Sequence, residues 1–293
     1  MTELRSSRRL ARMGHWGILR LVVFFAVLMA AYIGFQVARS MIVPHQPGPV
    51  HDLLTLACAA GLALGMLAIY ALLVRGLEAR PATELRLGSA APNLIGGVAV
   101  GAGLFVAVYA VLVAIGVVRI QGLAAQPGVP LALAMALSSA VGEELLMRGG
   151  MFRIVEDMAG TLVAILVSAG LFGLLHAANP GATVVSSIAI ALEAGVLLGI
   201  AYALTRSLWL PIGLHFGWNF TEGGVFGAAV SGGKSHGLVS ASVTGPDLLT
   251  GGAFGPEASV VAVALSLALS GAIGVLVMRR GQWRPLTFRL RLP

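Results

Sequence analysis

Hydrophobic residues in this chain fall into long blocks, and they lack the alternating or one-sided helical stripes of a water-soluble domain. The first block, residues 18–38, is an apolar run of about 21 residues. At about 1.5 Å per helical residue it spans a hydrocarbon layer of roughly 30 Å. It is longer than the apolar stretch of a cleavable leader and reads as a first anchor. Seven further blocks follow, near 52–74, 94–118, 129–147, 159–178, 183–205, 208–230 and 258–278. The pattern predicts an all-α polytopic bundle of about eight transmembrane helices, with residues 1–293 forming a single integral membrane domain.

Composition sharpens this picture. The chain is 58% hydrophobic and 11% charged, with a mean hydropathy of +0.93, whereas soluble domains are about a quarter charged. Eight spans place both termini on one side, and the basic residues choose that side. With a cytoplasmic N-terminus, fifteen fall on the cytoplasmic side and three, Arg39, Arg119 and Lys234, on the other, while Arg20 lies at the inner end of the first span. Cytoplasmic loops carry the excess of Lys and Arg, so the expectation is a multi-pass protein of the inner (plasma) membrane with basic cytoplasmic tails at 1–17 and 279–293. The bilayer accounts for the net charge of +7, and no nucleic-acid partner is expected. One cysteine, Cys58, rules out an intrachain disulfide and a cysteine-cluster metal site. The longest connection, residues 231–257, is rich in Gly and Ser and reads as a flexible outer loop without chemistry.

From the fourth block through the seventh, ionisable and amide side chains within or at the edge of the blocks are few: Glu143, Glu144, Arg148, His176, Glu193, His215, Asn219 and Glu222. A charged group at the centre of a bilayer helix costs about 2.5–3.5 kcal/mol on insertion scales, so such residues face protein or water and mark functional sites. Glu144 and Arg148 stand four apart on one helical face, the favourable order for an ion pair, and Glu143 points about 100° away. Arg148 then neutralises Glu144 and leaves Glu143 facing the bundle interior; the alternative is one buried network of all three. Phe172 and His176 share a face in the fifth block, as do His215 and Asn219 in the seventh, with Glu222 continuing that face. For Glu193 an interhelical bond, and for Glu222 a local hydrogen bond, are the simpler readings beside a role as a further acid or ligand.

Peptide hydrolysis needs a nucleophilic water, a proton shuttle and donors for the oxyanion. Glu143 with His176 suits the first two tasks, and His215 with Asn219 suits the third. Glu143, His176 and His215 are also a two-histidine, one-carboxylate set of the kind that binds Zn²⁺, and the residues alone leave the metal-dependent and metal-independent versions equally open. Straight helices place Glu143 and Asn219 near mid-depth, His215 towards the cytoplasm and His176 about 10 Å from the centre at the outer end of its span. Convergence therefore calls for tilt or a broken helix near Gly149-Gly150 or Asn179-Pro180.

Glu143-Glu144-x-x-x-Arg148, Phe172-x-x-x-His176 and His215-x-x-x-Asn219, in this order on successive blocks, resemble the three signature motifs of the CAAX-processing and bacteriocin-processing family of intramembrane endopeptidases. The stretch from Gly195 to Asn219, with Thr205-Arg206-Ser207-Leu208-Trp209-Leu210-Pro211-Ile212 before the histidine, is similar as well. The likeness covers about residues 130–225. It implies that Glu143 and His176 activate water, that His215 and Asn219 stabilise the oxyanion, and that Glu144, Arg148 and Phe172 support them. It also implies a peptide or membrane-protein substrate, cleaved near the cytoplasmic half of the bilayer. Eukaryotic members are similar to type II prenyl endopeptidases, but the Arg-rich, Ala- and Gly-rich composition is like that of a GC-rich bacterium. Peptide processing or bacteriocin immunity is what the likeness allows there. The competing classes are a proton-coupled transporter and a non-catalytic membrane scaffold. No His-Glu-x-x-His pattern is present, which sets aside metalloproteases of that type.

Overall fold

The computed structural model describes residues 2–44, 46 and 48–286, with side chains described from residue 17 onward. Among the described residues eight principal helices make up the bundle. They are α1 (Thr2–Ile42), α2 (Pro49–Glu78), α3 (Ala90–Ala114), α4 (Val129–Ala159), α5 (Thr161–His176), α6 (Val184–Thr205), α7 (Trp209–Asn219) and α8 (Val260–Arg279). Among the described residues six helices are long and apolar enough to cross a membrane. The exceptions are α5, of 16 residues, and α7, of 11 residues with a six-residue π-helical extension Phe220–Val225. At about 1.5 Å per residue each is shorter than a roughly 30 Å hydrocarbon layer. The expected count of eight spans thus reduces to six by length, because apolar blocks five and seven include connecting segments that the helices do not. Residues 287–293 of the expected C-terminal tail, and the arginine side chains of the expected N-terminal tail, lie outside the described residues.

Two features depart from an all-helical reading. Residues Val118–Leu123 (β1) and Val239–Val243 (β2) form an antiparallel ribbon, with Val118 opposite Val243 and Leu123 opposite Val239. The connection read as a flexible loop is therefore largely structured. Its two ends are joined by Gly232 N–H to Phe254 O (2.8 Å) and Ser231 N–H to Glu257 Oε1 (2.6 Å), and it is tied to the segment before α4 by Gly128 N–H to His236 O (2.6 Å) and Ala124 N–H to Leu238 O (2.9 Å). Local composition hid it, since a Gly- and Ser-rich stretch has no hydrophobic pattern and its order comes from bonds to distant segments.

Contacts between connections define two ends. At one end, which we call closed, Arg153 makes a two-pronged pair with Glu78 (2.7 and 2.8 Å), Arg80 binds Glu78 and Glu84, and Tyr70 donates to Glu84 and to Gly149 O (3.2 Å). Arg206 joins Glu156 to the carbonyl of Gln282, and Thr161 exchanges two hydrogen bonds with the backbone of Arg284. Burial raises the Glu84 carboxyl, but the bonds from Arg80 and Tyr70 and the charge of Arg153 outweigh it and hold the group below the ordinary carboxylate range. The ribbon and the structured connection occupy the opposite, open end.

The closest helix contact lies between α3 and α7. Gly97 and Gly101 on α3 face Gly213 and Gly217 on α7, and a methyl group built on Gly101 would come within 2.9 Å of the Trp218 nitrogen. Small residues at four-residue spacing let two backbones approach in this way. Phe105, Tyr109, Trp218 and Phe226 pack above this contact, with Phe105 edge-on to Trp218 at 5.1 Å.

Candidate active site

Glu143 lies near the midpoint of α4, where the helix passes into a π-helical stretch, Leu145–Phe152. The wider π turn shifts the register of the following residues and is a frequent mark of functional positions. Here it places Arg148 wholly inside the protein. Arg148 Nη1 donates to Glu144 Oε1 at 2.9 Å, and both side chains have no exposed surface. Its Nη2 donates to the carbonyls of Ala194 and Gly195 (3.1 and 3.0 Å), which belong to a second π-helical stretch, Ala191–Gly195 in α6. The guanidinium also lies 5.0 Å from the centre of the Phe172 ring, a cation–π distance. Arg148, counted from the sequence among the cytoplasmic charges, is therefore an internal brace, because Glu144 and two backbone carbonyls replace its water.

Glu144 Oε1 accepts a second bond, from His215 Nδ1 at 3.0 Å. His176 Nδ1 lies 2.8 Å from the carbonyl oxygen of Phe172. A carboxylate paired with arginine and a carbonyl are both acceptors, so each histidine carries its hydrogen on Nδ1 and turns Nε2 the other way. Both Nε2 atoms point to one place, 3.9 Å from Glu143 Oε2 in each case. That oxygen is buried and has no hydrogen-bond partner in the protein. Asn219 Nδ2 donates to Ser139 Oγ (3.1 Å), and Ser139 Oγ in turn donates to the carbonyl of Met135 (3.0 Å), which ties α7 to α4 one turn before Glu143.

All seven motif residues meet here, and the depth conflict expected from straight helices disappears. His176, at the C-terminus of the 16-residue α5, lies 3.9 Å from Glu143, and Asn179 and Pro180 after it form part of the cavity wall. Glu193 and Glu222 make their own bonds elsewhere, although Glu193 lines a small pocket with His176, His215 and Asn219. Glu193 lies 3.5 Å from Ser266 Oγ on α8, while Glu222 accepts from Trp218 Nε1 (3.0 Å) and from the backbone of Glu257.

A cavity of about 310 Å³ opens over Glu143, His176, His215 and Asn219. Its wall includes Tyr32, Gln36 and Arg39 on α1, which the motifs did not indicate, and Ser231, Gly233 and Ser235 from the connection read as free of chemistry. Tyr32 presents the Cδ2–Cε2 edge of its ring to Gly142, where a methyl group would lie 2.5 Å from it. The spacing of Tyr32, Gln36 and Arg39 is a helical face of polar residues in an otherwise apolar anchor, a signal present in the sequence. Gly97-x-x-x-Gly101 and Gly213-x-x-x-Gly217 were likewise legible as helix-packing motifs.

The fit of a metal follows from these distances. Tetrahedral zinc with bonds of about 2.0–2.1 Å holds its ligands roughly 3.3–3.4 Å apart. Glu143 Oε2 stands about half an ångström further than that from each Nε2, and among the described residues no group of three or more His, Cys, Asp or Glu is arranged to hold a metal ion. The donors as placed do not fit zinc.

Residues 125–221 match the family model described as type II CAAX prenyl endopeptidase Rce1-like. The match covers the motif-bearing third of the chain. The matched segment begins just before α4 and ends beyond Asn219, so it holds every residue of the convergence, in agreement with the likeness read from the three motifs. No curated protein matches the chain. The Rce1-like match together with the apolar helices supports a protease embedded in a membrane by several passes, acting on a peptide. Helices α1–α3 and α8, which wall and brace the Rce1-like segment, lie outside it.

Proposed function

We propose that this protein is an intramembrane endopeptidase of the plasma membrane in which Glu143 and His176 activate a water for attack on a peptide carbonyl. The convergence of both Nε2 atoms on the unpartnered Glu143 Oε2, with both Nδ1 atoms already committed, carries the reading. A water held between Glu143 and His176 Nε2 gives its proton to the carboxylate as it attacks, and the same carboxyl then returns the proton to the leaving amine. The oxyanion forms beside Asn219 and His215. Asn219 has a second amide hydrogen beyond the one given to Ser139. His215, held by Glu144 at Nδ1, turns Nε2 to the same place and donates from it when that nitrogen carries a hydrogen. Arg148 pairs with Glu144 and holds it in place, so the charge of the pair is balanced away from the attacking water.

The test uses the full-length protein in lipid nanodiscs and a pool of internally quenched peptides, with cleavage read by fluorescence and mass spectrometry. Glu143→Gln keeps the shape and removes the base; it abolishes cleavage, whereas His215→Ala and Asn219→Ala leave residual turnover reduced by about 10²–10³-fold, as for the loss of one oxyanion donor. Undiminished cleavage by Glu143→Gln refutes the assignment.

A further inference from the structure

The cavity and the charges of this protein lie at opposite ends of the bundle. The closed end carries Arg20, Arg80, Arg153, Arg206 and Arg284, each bonded to an acidic partner there, with Arg279 at the end of α8. The open end carries Arg39, Arg119 and Lys234. Removing the buried Arg148 from the fifteen-to-three division of the sequence leaves the imbalance almost unchanged.

The wall of the cavity belongs to the open end. It is built from the last turns of α1 at Gln36 and Arg39, the first turns of α4 at Ala132, the turn after α5 at Asn179 and Pro180, and the connection at Gly233 and Ser235. No residue of the closed-end ion pairs lines it. Below Glu143 the path is filled by the fully buried Glu144–Arg148 pair and then by the Tyr70, Glu78, Glu84 and Arg153 cluster.

Arginine-rich ends stay in the cytoplasm. We propose, building on the endopeptidase reading above, that the active site is entered from the non-cytoplasmic side and that its substrates are extended peptide segments presented at the outer face of the membrane. This reverses the cytoplasmic-side cleavage expected from the sequence. From Ala132, the cavity-lining residue nearest the start of α4, to Glu143 is 11 residues, or about 16–17 Å at 1.5 Å per residue. An extended chain covers that depth in about five residues at ~3.3 Å each. A substrate therefore supplies a flexible arm of about five residues between the outer surface and its scissile bond, which a folded domain or a helix does not.

Sidedness is measured without any peptidase activity, by labelling single cysteines with a membrane-impermeant maleimide in intact cells and in inside-out vesicles. The background is Cys58→Ala, which removes the one native thiol. Ser235→Cys reports the cavity mouth, Lys234→Cys the exposed crown beside it, and Thr83→Cys the exposed connection at the closed end. Ser235→Cys and Lys234→Cys are expected to react in intact cells, and Thr83→Cys only in inside-out vesicles. If Ser235→Cys is shielded on both sides, Lys234→Cys decides. Labelling of the open-end positions only in inside-out vesicles overturns the proposal and leaves the endopeptidase reading standing. Outer labelling of a protein that cleaves no peptide supports the sidedness and removes the endopeptidase.

Discussion

Replacing Gly101 with alanine tests whether the catalytic geometry depends on a helix contact outside the Rce1-like segment. The added methyl would lie 2.9 Å from both the Leu214 carbonyl carbon and the Trp218 nitrogen, and nearer still to the Leu214 oxygen. Carbon atoms rest about 3.5–4.0 Å apart, so α3 and α7 must separate by at least ~0.6 Å, and by roughly 1 Å to clear the oxygen. His215 and Asn219 follow Leu214 and Trp218 on the same backbone. A 1 Å shift stretches the 3.0 Å bond from His215 to Glu144 and the 3.1 Å bond from Asn219 to Ser139 to about 4 Å, beyond hydrogen-bond range. Overpacking of this kind costs about 1–3 kcal/mol, and a 1 Å misplacement of catalytic groups costs about 10²-fold in rate. Gly103→Ala is the control, because a methyl there meets nothing within 4 Å on the same helix. Thermal unfolding and peptide turnover in nanodiscs are the paired readouts. Gly101→Ala is expected to unfold several degrees lower and to lose about two orders of magnitude in turnover, with Gly103→Ala unaffected. Equal behaviour of the two variants would refute the argument.

Three further outcomes follow from the site and the closed end. Ser139→Ala removes the acceptor that holds Asn219 and leaves the amide free to rotate; kcat is expected to fall about tenfold with KM nearly unchanged, and an effect confined to KM would contradict the positioning role. Treatment with a zinc chelator followed by elemental analysis is expected to leave turnover intact, since the 3.9 Å spacings do not fit tetrahedral zinc; loss of activity restored by stoichiometric zinc would overturn the water-activation scheme. Glu84 has its carboxyl held below the ordinary range, so its contribution to stability is complete above an unfolded carboxyl value of about 4.3 and is lost as pH falls through its lower folded value. Glu84→Gln should lower the unfolding temperature at pH 7 and flatten its decline below about pH 4.3, and an unchanged acid limb in the melting curve would argue against it.

Particular residues show why some of this was readable along the chain. The pairing of Glu144 with Arg148 is a consequence of helical spacing, and the sequence stated both its partners and its order before any packing was known. The motif residues announced themselves because ionisable groups are costly in apolar helices, so few occur and each has a reason. Apolar block lengths determined the class of the fold in the same way, since a bilayer thickness sets a minimum helix length.

Tertiary structure decided the rest, because it joins residues that no local rule connects. The depth at which His176 ends α5, the π-helical turns that seat Arg148 against Ala194 and Gly195, and the Nδ1 bonds that turn both histidines towards Glu143 arise from contacts between helices. The order of the 231–257 connection and its place in the cavity wall depend on bonds to partners far along the chain. Hydrophobic pattern determines that a segment enters the membrane; only packing determines how deep each polar group lies and towards which end its cavity opens.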